Sequence, residues 1–199
     1  MNKVILLFLS CVLFSTDYGS FGSVTDDRDG KTYKTFKVGD LNVMLENLNY
    51  AADGSRCFRD SEDFCKVYGR VYDYETAMAG EDYEGAQGIC PNGWNIPTAE
   101  QWIYLIQNSG GKLKYEKGSK ASALLPKNIF DLKLAGNKSS SNDQFFLIGK
   151  KGFYMTSSTE EGRWVVVDFS KSGNAFDLTL NSDAIKERGI SCRCVQYSE

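Results

Sequence analysis

The sequence predicts a single α+β domain, an antiparallel β-sheet assembly with two to three short helices. Three observations carry that prediction. Turn-bounded runs of alternating polar and apolar residues lie at both ends of the chain, a capped amphipathic helix lies between them, and no linker or internal repeat separates the parts. A chain of 199 residues that is 42% hydrophobic and 13% aromatic has the material for one packed core.

Asp29-Gly30 is a tight-turn signal that feeds Lys31–Val38, which alternates as a half-buried strand does. Gly39-Asp40 then turns the chain into Leu41–Leu48, completing a β-hairpin. Residues 49–66 are polar and irregular. Tyr68–Tyr74 leads into a short helix, Glu75–Ala79, which Gly80 stops, and residues 80–90 form a Gly-rich, acidic loop. Thr98-x-x-Gln101 is a capping box with Pro97 just before it. The helix it starts runs to Asn108, with Trp102, Leu105 and Ile106 as its apolar stripe. Ser119–Leu125 is expected as a third helix, stopped by Pro126, and residues 136–143 as a polar loop. Strand-like runs follow at Gln144–Ile148, Gly152–Ser157, Arg163–Phe169, Ala175–Leu180 and Ile190–Gln196.

The amino terminus carries a different message. Lys3 precedes an apolar run of 11 residues, Val4–Phe14, which is too short to span a bilayer and has the form of a secretory signal. Ser20 and Gly22 put small residues at the −3 and −1 positions of a cut before Ser23. The expected organisation is therefore a signal peptide over residues 1–22 and one domain over 23–199. Lipidation of Cys11 is the alternative, and it would be the only route to a membrane, since no other segment is apolar enough to cross one.

The formal charge of −3 offers no basic surplus for a phosphate backbone, so nucleic acid is not an expected partner. Histidine is absent. That excludes Ser-His-Asp and Cys-His catalysis and His-ligated zinc, while carboxylate, Lys, Tyr or Cys chemistry stays open. Asp26-Asp27-Arg28-Asp29-Gly30 misses the EF-hand pattern, with Thr25 at its first ligand position and Phe36 at its last, so it is expected as a solvated turn. No metal and no cofactor is expected.

Cysteines stand at 11, 57, 65, 90, 192 and 194. An oxidising compartment favours pairing. The spacing of Cys57 and Cys65 suits a local loop staple. Cys192 and Cys194, expected in one extended strand, would hold their sulfurs roughly 6.5–7 Å apart on one face. One of them reaches Cys90 and the other is left over; the spacing alone does not choose. A zinc site from Cys57, Cys65, Cys192 and Cys194 lacks any CxxC pair.

Five blocks, in order, resemble the Fibrobacter succinogenes major paralogous domain family from about Asp27 to Val195. They are Arg28–Thr35 with Glu46–Tyr50; Tyr68–Tyr72 with Ala77-Met78; Cys90–Trp94 with Pro97 and Trp102; Thr156–Glu160; and Gly189–Val195. The resemblance implies an exported protein, often a lipoprotein, with no established enzymatic activity. It implies the bond Cys90–Cys194, because the family carries its cysteine at that position, and leaves Cys192 unpaired where an apolar residue is usual. Closing a loop of about 100 residues contributes on the order of 4–5 kcal/mol in the chain-entropy model. The block around Trp94 and Pro97 also looks like that of C-type-lectin-like and formylglycine-generating-enzyme domains, a fold-level analogy that implies a C-type-lectin-like architecture. The chain departs from the family where Leu41-Asn42-Val43 replaces Gln-x-Trp, Asn95 replaces His and Gln101 replaces Glu.

The expected function is that of a non-catalytic, cell-surface or secreted binding or adhesion module, its ligand a glycan or a protein. Trp164, Tyr83 and Tyr115 are candidate sugar-stacking faces, each weighed against a packing role. Trp94 and Trp102 are expected in the core. Lectin-type calcium motifs are absent, Trp94-Asn95 being followed by Ile96. The alternative is an enzyme without histidine, a carboxylate-based hydrolase or a cysteine-based oxidase.

Overall fold

The chain enters its fold along β1 (Phe21–Thr25), reverses at Asp26–Gly30 into β2 (Thr32–Val38), and reverses again at Gly39-Asp40 into β3 (Leu41–Met44). This is a computed structural model, and it describes residues 19–114, 122–126, 130–172, 175–184 and 186–198. The apolar leader, Cys11 and Tyr115 lie outside those residues. Asp26 makes the first reversal: it is fully buried, its carboxylate accepts from the Arg28 backbone N–H and both ends of the Arg28 guanidinium, and Gly30 bonds back to its carbonyl. β1 is the edge strand and Phe21 is 79% exposed, so a cut before Ser23 would shorten β1 without opening the core.

Among the described residues, the α-helices are α1 (Glu62–Tyr68), α2 (Tyr74–Met78) and α3 (Ala99–Asn108), with a short 3-10 turn at Phe58–Asp60 before α1. α1 falls where the sequence reads as irregular; no side chain caps it, and Cys65 is its one buried residue. Thr98 and Gln101 close the capping box on α3, each side chain bonding the other's backbone N–H.

The remaining strands are β4 (Val71–Tyr72), β5 (Lys112–Lys114), β6 (Ser122–Pro126), β7 (Asn137–Lys138), β8 (Phe145–Phe146), β9 (Lys151–Glu160), β10 (Arg163–Ser172), β11 (Ala175–Ala184), β12 (Ile190–Ser191) and β13 (Val195–Tyr197). β1-β2-β3-β13 form a four-stranded sheet, β4-β12-β9-β10-β11-β6-β5 a seven-stranded one, and β7-β8 a small third. Every pairing among the described strands is antiparallel except β12 with β9. The α+β class is thus met.

Several sequence expectations are corrected. The turn at Asp26–Gly30 buries Asp26 against Arg28 rather than solvating it. The loop expected over 136–143 contains β7. Residues 122–125 belong to β6, which pairs with β11, rather than to a helix; 119–121 lie outside the described residues. β11 supplies the backbone partners that a helix would have found within itself. The run Ile190–Gln196 is two strands in two different sheets, because residues 192–194 cross from one sheet to the other.

β9 and β10 are buried on both faces, so their alternation divides the interior in two. Tyr154, Val165, Val167 and Phe169 meet Trp102, Leu105 and Ile106 of α3. Phe153, Met155, Trp164 and Val166 meet Met44, Leu48, Tyr72, Trp94 and Ile96 on the other side. Trp102, Tyr154 and Phe169 form a continuous stack with centroid separations of 5.4 and 5.3 Å.

Candidate functional site

The blocks that carry the family resemblance hold the interior together. Asn47 is a hub: its amide nitrogen donates to the Tyr68 carbonyl at 2.7 Å, and its oxygen accepts from Tyr154 Oη at 2.8 Å and Arg193 Nε at 3.0 Å. Arg193 is fully buried without a carboxylate partner among the described residues. Carbonyls of Met44, Phe130 and Asp131 and the face of Tyr154 surround its guanidinium. Thr156, Ser157 and Ser158 are buried: Ser157 Oγ accepts from Gly85 N and donates to the Ile96 carbonyl, and Ser158 Oγ accepts from Ala99 N. They tie the acidic loop and the start of α3 to β9.

Disulfides join Cys57 to Cys65, with Cα atoms 5.2 Å apart, and Cys90 to Cys194, with Cα atoms 5.8 Å apart across 104 positions. Cys192 is free and fully buried. Its sulfur lies within 4.8 Å of those of Cys90 and Cys194, closer than one continuous strand would allow, because the chain leaves strand geometry between Ser191 and Val195. Burial pushes the Cys192 thiol far above its ordinary range, which keeps it protonated and unreactive at neutral pH. Two groups of potential metal donors occur among the described residues, Cys90/Cys192/Cys194 and Cys57/Glu62/Cys65, and disulfides occupy four of their five sulfurs.

The three tryptophans are interior. Trp94 is 6% exposed, Trp102 1% and Trp164 0%. Trp164, a candidate sugar platform by sequence, instead donates its indole N–H to the Thr156 carbonyl at 2.7 Å and meets the edge of Tyr74. Tyr83 is 55% exposed and donates its hydroxyl to Glu81. Tyr104 and Tyr197, neither singled out by sequence, are 36% and 66% exposed and line the same groove.

That groove, of about 490 Å³, is assembled from four separate segments. Asp40 and Leu41 of the β2–β3 turn line it. Tyr104 reaches over the turn from α3, accepting at 3.4 Å from the Asp40 N–H; a Cβ on Gly39 would fall 2.0 Å from the Tyr104 hydroxyl. Tyr197 faces Leu41 across the β13–β3 register, and Ser198 N donates to the Asp40 carbonyl at 2.8 Å. Gly85, Thr98, Glu100 and Gln101 complete the lining. Gln101 Oε1 accepts from Thr98 N at 2.9 Å and Asn95 Nδ2 at 3.2 Å. Two departures from the family pattern therefore meet: where His and Glu are usual, this chain has a neutral amide pair, and a third departure, Leu41, lines the same groove.

A second cleft, of about 370 Å³, is lined by Tyr33, Glu46 and Asn49 among others, with Lys31, Lys66 and Lys133 at its rim. Each of these lysines already has a carboxylate partner, Asp29, Asp63 and Asp131 respectively.

Sequence reasoning finds Gln101 as a helix cap and misses it as a groove residue. The available signal was the spacing of Glu100 and Tyr104, four apart on a helix and hence on one face, off the Trp102–Leu105–Ile106 stripe. Neither the search of curated proteins nor that of solved structures gives a match. The family model described as Fibrobacter succinogenes major domain matches residues 23–196. The chain belongs to the Fibrobacter succinogenes major domain family.

Proposed function

We propose that this protein is an exported, non-catalytic binding module of the cell surface or the surrounding medium, and that its ligand is a glycan held in the groove between Tyr104 and Tyr197. The observation that carries this reading is the pair of exposed tyrosines lining a four-segment groove that also carries Asp40, Glu100 and Gln101. Aromatic faces complement the C–H faces of sugar rings, and the hydroxyls of a sugar suit amide and carboxylate partners.

Three features support the non-catalytic part. Histidine is absent, the free thiol is buried and protonated, and Asn95 and Gln101 form a neutral pair beside the groove. Export is supported by the Lys3–Phe14 signal and the two disulfides, and no helix among the described residues is long and apolar enough to cross a membrane. Affinity electrophoresis of the oxidised protein through gels containing soluble polysaccharides tests the reading. Retardation by at least one polysaccharide, without release of reducing ends, is the expected result. Unretarded migration in all of them, with capture by a surface protein instead, would replace the glycan with a protein partner, and release of reducing ends would make the protein a hydrolase.

A further inference from the structure

We infer that the groove discriminates against an acidic glycan in favour of a neutral one, with Gln101 as the specificity-determining donor. The inference rests on the groove being the glycan seat. Gln101 is only 7% exposed, and its side-chain oxygen is doubly engaged by Thr98 N and Asn95 Nδ2, which fixes the amide plane. Its Nε2 has no hydrogen-bond partner among the described residues and is not one of their buried, unsatisfied polar atoms, and Gln101 lines the groove, so we take Nε2 as the group offered there. A fixed N–H donor that the fold leaves unused calls for an acceptor from the ligand.

The rest of the lining sets the sign of charge. Asp40 and Glu100 contribute carboxylates, and none of the described residues lining the groove is Lys or Arg. On the lip, Gly85 follows directly on Glu81-Asp82-Tyr83-Glu84. A neutral sugar satisfies each group: its hydroxyls donate to Asp40 and Glu100, a ring or hydroxyl oxygen accepts from Gln101 Nε2, and its C–H faces lie on Tyr104 and Tyr197. A uronic-acid sugar would bring like charge against both carboxylates, with no cation among the described lining residues to offset it. A cationic sugar would gain from the same carboxylates, so the selection is against negative charge.

Isothermal titration of the oxidised protein with three soluble oligosaccharides of equal length tests this: neutral glucose-based, acidic galacturonate-based and cationic glucosamine-based. The neutral oligosaccharide is expected to bind, with the acidic one at least about tenfold weaker. Asp40→Asn with Glu100→Gln should narrow that gap. Gln101→Glu keeps the cap oxygen and replaces only the Nε2 donor, so it should weaken neutral binding about tenfold at an unchanged melting temperature. Equal or tighter binding of the acidic oligosaccharide, or an unaffected Gln101→Glu protein, would overturn the selectivity and leave the glycan seat standing, whereas tighter binding of the cationic one would support that selectivity. Binding of none of the three would overturn the glycan seat itself, and the selectivity with it.

Discussion

The interior around Asn47 and the groove around Tyr104 draw on different parts of the same sequence. Asn47, Tyr72, Thr156–Ser158 and Arg193 belong to the blocks that carry the family resemblance. Each spends its polar groups inside: Asn47 on Tyr68, Tyr154 and Arg193, Tyr72 on the Tyr50 carbonyl, Ser157 on Gly85 and Ile96. Leu41 and Gln101 are departures from the family pattern and line the groove beside Tyr104 and Tyr197. Shared motifs here specify how the interior is wired, and the groove proposed to hold a ligand includes positions where the chain differs. Helix α3 holds both kinds of residue two positions apart, Trp102 facing in and Tyr104 facing out, which makes the contrast open to experiment.

The largest expected effect is on the interior side. Trp102→Ala removes a buried indole stacked on Tyr154, together with its hydrogen bond to the Met155 carbonyl, and should cost on the order of 3–5 kcal/mol in denaturant unfolding. A Trp102→Ala protein of near-native stability would mean that the stack contributes little and that the division of α3 is wrong. Reduction comes next. The Cys90–Cys194 bond closes a loop across 104 positions, so reductant should lower the melting temperature strongly. The contribution of that bond is on the order of 4–5 kcal/mol in the chain-entropy model, an upper figure where the native state is strained. EDTA alone should leave the melt unchanged; a large drop would reveal a bound cation.

A smaller effect comes from pH. The buried Cys192 thiol and the Tyr33 and Tyr72 hydroxyls are held protonated by burial, Tyr33 up to about 12. Raised values favour the protonated form in the folded state, so their stabilisation is complete below the unfolded values, near 8.5 for a thiol and 10 for tyrosine, and is lost as pH rises through the folded ones. Stability measured from pH 7 upward should start to fall above about pH 8.5. Cys192→Ala should move that onset toward the tyrosine range. An onset unchanged in Cys192→Ala would show that the thiol ionises as readily folded as unfolded.

How much of this was legible depended on whether the deciding contacts were local. The β2–β3 hairpin and α3 were legible because Gly39-Asp40 and Thr98-x-x-Gln101 write their turn and cap into neighbouring residues. β1 was not: it is an exposed edge strand whose pairing with β2 leaves little hydrophobic pattern. α1 escaped because it buries only Cys65 and so shows no stripe. Ser122–Pro126 was misread because its partner, β11, lies some fifty residues along the chain. The groove needs Asp40, Gly85, Gln101 and Tyr197 at once, and no single-sequence pattern links four segments that only the fold brings together.

The measurement that tests the central claim most directly pairs binding with stability in one double variant, Tyr104→Ala with Tyr197→Ala. Both side chains are exposed, so the melting temperature should move by no more than about 2–4 °C, the equivalent of about 1 kcal/mol in a domain of this size. Retardation by the polysaccharide that holds the parent protein should disappear. Retained binding at an unchanged melting temperature would contradict the account, because the groove would then be surface that happens to be concave and the ligand would sit elsewhere.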